Sequence, residues 1–150
     1  VIRKQYESER DRQNEESICR WLCSEWKLVR YKLNPHWVID YAIARKDDPK
    51  RITGLIEIRQ RSFVWGDFPD VFCSASKIEA ANKIRICWNL PVLFAVRDTH
   101  QEVRYCDLTA LGIQPLHFDG RSTENMRDQW DQDLIAKIPI NQFTKFMKGK

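Results

Sequence analysis

The chain has 150 residues, 43% hydrophobic and 31% charged, which fits one globular domain, 1–150, whose core needs no disulfide or structural metal. A net charge of +4 does not by itself establish a nucleic-acid partner, and no apolar run approaches the roughly 20 residues of a membrane span. Five cysteines, with no CxxC pair and no secretory signal, point to free thiols and a reducing, cytoplasmic setting.

The first predicted element is a helix over 7–27. Glu7, Glu9 and Asp11 fill its first turns, where the helix dipole favours negative charge. Ile18, Leu22 and Trp26 then recur at i, i+4 and i+8, with Trp21 beside them. Projected back one turn, that apolar face reaches Glu15, or Glu16 if the helix is rotated. Cys19 and Cys23 could share a ligand face, but no second Cys or His pair matches them for zinc. Asn34-Pro35 breaks the chain. Residues 37–44 read as a strand with Asp40 embedded, 46–50 as a polar turn, and 52–58 as a second strand with Glu57 embedded. The two strands suit a hairpin.

Residues 62–72 are irregular and aromatic. Phe63, Trp65 and Phe68 cluster around Gly66 and Pro69, either as a lid over the core or as a surface that stacks on bases. Ser74 caps a predicted helix over 75–89, with Ile78, Ala81, Ile84, Ile86 and Trp88 as its apolar members. Residues 91–96 form a buried strand, 98–101 a turn and 102–106 another strand, with Cys87 and Cys106 as buried thiols. Residues 107–132 read as loop with one short turn and 133–138 as an edge strand closed by Pro139. Asn141 caps a final helix. The order α-β-β-α-β-β, followed by a strand and a helix, is an α/β (α+β) arrangement with a central mixed β-sheet flanked by helices.

Strands avoid acids, because an unpaired carboxylate in low dielectric costs on the order of several kcal/mol. Here two adjacent strands carry one each, Asp40 in Val38-Ile39-Asp40-Tyr41-Ala42 and Glu57 in Leu55-Ile56-Glu57-Ile58. Arg59, two residues past Glu57, points to the same sheet face. The residues alone leave two readings: a divalent metal site beside a cation that grips phosphate, or surface acids paired with Arg59 or Arg61. Residues 1–61 hold 14 Lys and Arg against 10 Asp and Glu, whereas the remainder is balanced. The positive excess therefore lies with the candidate site, where it serves either to attract a polyanion or as a solvated face. His36, His100 and His117 form no triad or zinc spacing, and Arg121 is a lone loop arginine able to meet phosphate.

Asp40…Glu57-Ile58-Arg59 resembles the signature of the PD-(D/E)XK nuclease superfamily. The agreement runs over 14–146: a leading helix with a carboxylate, a Lys32-Leu33 step, the Asp strand, the Glu strand, a helix bearing Lys77 and a strand opening at Pro91. The chain is similar in particular to small phage proteins of that superfamily. The resemblance implies a restriction-endonuclease-like core and a Mg²⁺ (or Mn²⁺) cofactor. Its ligands would be Asp40, Glu57, the backbone carbonyl of Ile58 and Glu15, the last directly or through water. It implies phosphodiester hydrolysis on DNA, duplex or branched, in a phage-encoded or bacterial cytoplasmic protein with no membrane contact. A homodimer stays open. Gln60, Arg61, Lys32 and Trp65 are the candidate nucleic-acid contacts.

Arg59 departs from the pattern, which has lysine there. Arginine can grip phosphate with two prongs but stays protonated and cannot accept a proton. Some members supply the lysine from the following helix, which makes Lys77 the candidate, against a plain surface lysine. The departure leaves a migrated lysine, a slow enzyme, or a catalytically inactive module that binds nucleic acid or a protein partner.

Overall fold

Apolar residues at three- and four-residue spacing make Glu9–Trp26 a helix, α1, in the computed structural model, which describes residues 9–120 and 132–146. Its inner face carries Ile18, Cys19, Leu22 and Cys23, all buried, and one turn earlier the buried Glu15. Lys27 adopts φ 57, and its N–H bonds the Ser24 carbonyl at 3.3 Å, turning the chain out of the helix. The chain then enters β1 (Leu28–Lys32), an edge strand that the sequence reading missed. Its residues are half-buried or exposed, so no clean alternation marks it.

The predicted strand over 37–44 divides into two. Asn34 Oδ1 accepts from the His36 N–H, Pro35–Trp37 forms a 3-10 turn, and Val38 sits at φ 68. A β-branched residue rarely adopts such a φ, and this kink delays β2 to Tyr41–Arg45. Asp40 therefore stands just outside its strand. β3 (Ile52–Gln60) pairs antiparallel with β2, from Tyr41 opposite Ile56 to Ala44 opposite Ile52, so the hairpin is present with a bulge at Ile43/Ala44.

After β4 (Asp70–Ser74), helix α2 (Ala75–Trp88) carries the chain to β5 (Val92–Arg97), which lies parallel to β3. Ser74 is the N-cap residue, but its hydroxyl contacts Ser76 and Asp133 rather than the helix. Asn89, in the left-handed conformation, closes the far end. Only Ala81 and Ile84 of α2 are buried; Ile86, Cys87 and Trp88 are exposed, contrary to the helix face drawn from the sequence. They fall on the last turn, where Cys87 and Trp88 line an open groove with Trp37. Cys106 is buried as expected.

Among the described residues, β6 (Val103–Asp107) and the two-residue β9 (Thr144–Lys145) complete a six-stranded mixed sheet in the order β1-β2-β3-β5-β6-β9. α1 covers one face through Tyr41, Ile43, Ile56, Ile58, Ala95 and Val103. α2 and a second sheet cover the other through Leu55, Val92, Phe94 and Val96. That second sheet, β4-β8-β7, joins β4 to β7 (Leu116–Gly120) and β8 (Gln132–Pro139). β7 falls where loop was expected, and β8 is the central strand of its sheet, not an edge. β8 pairs on one side with β4, more than 60 residues away, and β7 pairs only with β8, so neither placement leaves a local trace. Ile140–Gln142 is a 3-10 turn leading into β9 where a final helix was expected. Among the described residues no helix is long and apolar enough to cross a membrane.

Glu16 fastens α1 to the sheet edge. Its carboxylate accepts from Tyr41 Oη at 2.7 Å and from Arg30 Nε at 3.0 Å. Burial pushes its pKa up, but the Tyr41 hydroxyl and the Arg30 guanidinium outweigh this and hold it below the usual carboxylate value. A depressed folded value stabilises the fold above the unfolded pKa, and that stabilisation fades as pH falls through the folded one. Glu16→Gln is expected to lose about 0.5–1 kcal/mol at neutral pH, a figure reduced for solvent screening. The gap to wild type should close between about pH 5 and 3 in urea melts. A gap that persists at low pH would contradict the assignment.

Candidate metal and nucleic-acid site

The site lies where β2 has ended and β3 continues. Beyond Tyr41 opposite Ile56, β3 keeps β5 on one side as far as Gln60 but, among the described residues, has no strand on the other. The exposed backbone edge is satisfied by acids instead. Asp40 Oδ2 accepts from the Ile58 N–H at 3.1 Å, and the Asp40 N–H donates to Glu57 Oε2 at 3.1 Å. This exchange fixes Asp40 beside Glu57 although Asp40 is not itself in a strand.

Alternation along β3 sends Ile56 and Ile58 towards α1, and Glu57 and Arg59 towards the opposite face. At the open edge the two faces meet. From α1, Glu15 Oε1 reaches Arg59 at 3.2 Å. From the first turn of α2, Lys77 Nζ lies 3.1 Å from Glu57 Oε1 and also donates to the Val38 carbonyl. Lys32 Nζ, on β1, is 3.6 Å from Asp40 Oδ1. Glu15, Asp40 and Glu57 are thus matched by Lys32, Arg59 and Lys77. The helix rotation left open by the sequence is resolved by packing: Glu15 faces the cluster and Glu16 faces Arg30 and Tyr41.

Arg59 occupies the centre. Its Nη1 donates to the Ile58 carbonyl at 2.8 Å and lies 3.2 Å from Glu15 Oε1 and 3.4 Å from Asp40 Oδ2. Its Nη2 is 2.5 Å from Glu57 Oε1. Burial opposes the arginine's charge, but Glu57, Asp40 and Glu15 outweigh it and raise its pKa above the ordinary value, so it stays protonated. Glu57 is fully buried, and burial raises its pKa against the pull of Arg59 and Lys77.

The oxygens expected to hold a metal are those gathered by this guanidinium. Carboxylates and a backbone carbonyl are hard donors that suit Mg²⁺ or Mn²⁺, and the buried Glu57 calls for a positive partner. In chemistry and charge the set fits a divalent ion. Its spacing is that of a guanidinium: among the described residues no three His, Cys, Asp or Glu side chains stand close enough to ligate a metal as they are.

The other sequence candidates are placed differently. The Gln60 amide donates to the Arg97 and Asp98 carbonyls and accepts from Arg97 Nε at 2.6 Å, tying β3 to the turn after β5. Arg61 donates to the Phe72 carbonyl at 3.2 Å, and burial together with Arg59 lowers its pKa. Trp65 is buried: its indole N–H bonds the Glu102 carbonyl, Phe63 and Phe143 pack against its ring, and Arg104 lies over it. It belongs to the core lid and presents no face for base stacking. Arg121 lies outside the described residues.

The sequence reading missed the Val38 carbonyl and the groove beside it. Trp37, Val38, Lys83 and Trp88 help line an open groove of about 400 Å³ between the 3-10 turn and α2. Both tryptophans are exposed, at 49% and 66%. An exposed Trp37 next to a proline turn was the available signal.

Against known families, the chain matches, over residues 1–146, the one described as phage putative PDDEXK endonuclease. No curated protein matches it. Among solved structures it is similar to Hjc, a Holliday junction resolvase from the archaeal hyperthermophile Archaeoglobus fulgidus. The match has 11% sequence identity and a TM-score of 0.49, and covers 85% of this chain and 95% of that one.

Proposed function

The chain belongs to the phage PDDEXK endonuclease family, and we propose that it is a divalent-metal-dependent nuclease that hydrolyses phosphodiester bonds in DNA. The observation that carries the reading is the convergence of Asp40, Glu57, Glu15 and the Ile58 carbonyl on one cationic point at the open edge of β3. Asp40, Glu57 and the Ile58 carbonyl would hold the ion, with Glu15 completing the set from α1. Such an ion, when bound, supplies Lewis-acid charge that activates water and stabilises the leaving oxygen.

The chain's own residues do the rest. Lys77, held between Glu57 and the Val38 carbonyl, places an ammonium where charge develops on the attacked phosphate. Lys32 adds a second cation at the rim. The Trp37–Trp88 groove opens beside Val38, whose carbonyl holds Lys77, and offers aromatic faces on which bases of an unpaired or distorted strand can stack. A second reading, a catalytically silent DNA-binding module, has in its favour the Arg59 guanidinium seated among the acids.

Incubation with supercoiled, linear and four-way-junction DNA in Mg²⁺, Mn²⁺ or EDTA tests the proposal. Cleavage is expected with the divalent ions, none in EDTA, and none by Asp40→Ala purified in parallel. DNA binding without cleavage under every condition would favour the silent module. Cleavage that survives Asp40→Ala would place the activity elsewhere.

A further inference from the structure

The metal reading raises a problem in this chain. Four groups assigned to the ion, Glu15, Asp40, Glu57 and the Ile58 carbonyl, are all held by one guanidinium at 2.5–3.4 Å. A divalent ion with these oxygens as ligands would need contacts of about 2.0–2.1 Å for Mg²⁺. Ion and guanidinium therefore cannot share the cluster in this arrangement.

We propose that Arg59 is a tethered cation that gathers the metal ligands in the metal-free protein and must be displaced for the divalent ion to enter. The inference rests on the metal-dependent reading above. Charge supports it. Three carboxylates, of which Glu57 is fully buried, would repel one another without a central cation. With Arg59, Lys32 and Lys77 the named side chains sum to neutral, so the cluster balances its charge without a metal. An entering ion gains the acids only by giving up their attraction to Arg59, which weakens its net affinity. Geometry supports it too. Arg59 sits on β3 two residues from Glu57, and 27% of its side chain is exposed, so a rotamer change can carry the guanidinium outward without moving the strand. Turned out, it becomes a free two-pronged donor at the rim of the site, where a DNA phosphate would lie. Metal entry and release of the phosphate grip are then one event.

The test is calorimetric titration of Mn²⁺ into the wild type, Arg59→Gln and Asp40→Ala, with thermal melts in EDTA. Arg59→Gln is expected to bind Mn²⁺ about tenfold or more tightly than wild type. It should melt several degrees lower in EDTA and recover that loss when Mn²⁺ is added. Because Arg59→Gln can fail to fold without metal, the wild type is also followed by NMR through the Arg59 Nε–H signal during Mg²⁺ titration. The signal should move and exchange faster with water as the site fills. Equal or weaker Mn²⁺ binding by Arg59→Gln, or an Arg59 signal unchanged at saturating Mg²⁺, overturns the displacement while Asp40-dependent binding leaves the metal reading standing. No Mn²⁺ binding by wild type or Arg59→Gln overturns both.

Discussion

Asp40→Ala is expected to abolish measurable Mn²⁺ binding and to slow DNA cleavage by about 10³-fold or more, roughly 4 kcal/mol of transition-state stabilisation. Asp40 carries two linked tasks. One carboxylate oxygen caps the Ile58 N–H at the end of the β2–β3 ladder, and the same oxygen lies 3.4 Å from Arg59 at the centre of the cluster. Alanine leaves the Ile58 N–H without that acceptor, which costs on the order of 1–3 kcal/mol of stability. The activity loss therefore has to be separated from unfolding. Glu57→Gln provides the separation: it keeps side-chain volume in a fully buried position and removes the charge that attracts the ion. It should match Asp40→Ala in metal binding and cleavage, with circular dichroism confirming the fold. Wild-type Mn²⁺ affinity in both variants would remove these two acids from the ligand set.

Lys77→Ala should be the next most damaging change, with an expected loss of about 10²–10³ in cleavage rate, the range for removal of one preorganised charge-stabilising donor. The Arg59 guanidinium cannot take up a proton at any working pH, so it cannot act as the lysine usual at its position. Lys77 reaches the same Glu57 carboxylate from the start of α2, with only 17% of its side chain exposed. On the proposed reading, a lysine on a neighbouring element would supply that amine. Lys77→Arg, which keeps the charge, should retain DNA binding and part of the rate, and Arg59→Lys in the Lys77→Ala background should also recover part of it. A rate in Lys77→Ala within threefold of wild type would show that the amine plays no part in the reaction.

Electrostatics joins both expectations. The cluster places a buried acid within reach of two cations and lets a third acid approach from the opposite face of the sheet. Such buried groups are poor sources of stability, since desolvation offsets much of their attraction. Their concentration at a strand end, beside a Val38 at positive φ and an open groove, is what the proposed site would require.

The sequence alone carried the parts of this arrangement that depend on short spacing. Three- and four-residue periodicity placed Glu15 on the inner face of α1, two-residue alternation put Glu57 and Arg59 on one face of β3, and the helix signal after Ser74 set Lys77 at a helix start. Tertiary structure decided the remainder. Asp40 reads as a strand residue because its neighbours are apolar, yet the Pro35 turn and the Val38 kink hold it outside, where a carboxylate replaces a missing strand. The central place of β8 arises from pairing with β4 across a long stretch of chain, and β7 then adds to β8; pairing of that kind leaves no periodic trace. Trp65 has the residue type of a stacking surface, but only burial among Phe63, Phe143 and Arg104 assigns it to the core. Pairing of Arg59 with Glu57 was one reading of the sequence, but its meeting with Glu15 and Asp40 was beyond any local pattern, because acids from α1, the β2 approach and β3 meet at one gap in the sheet, and charges find their partners through space.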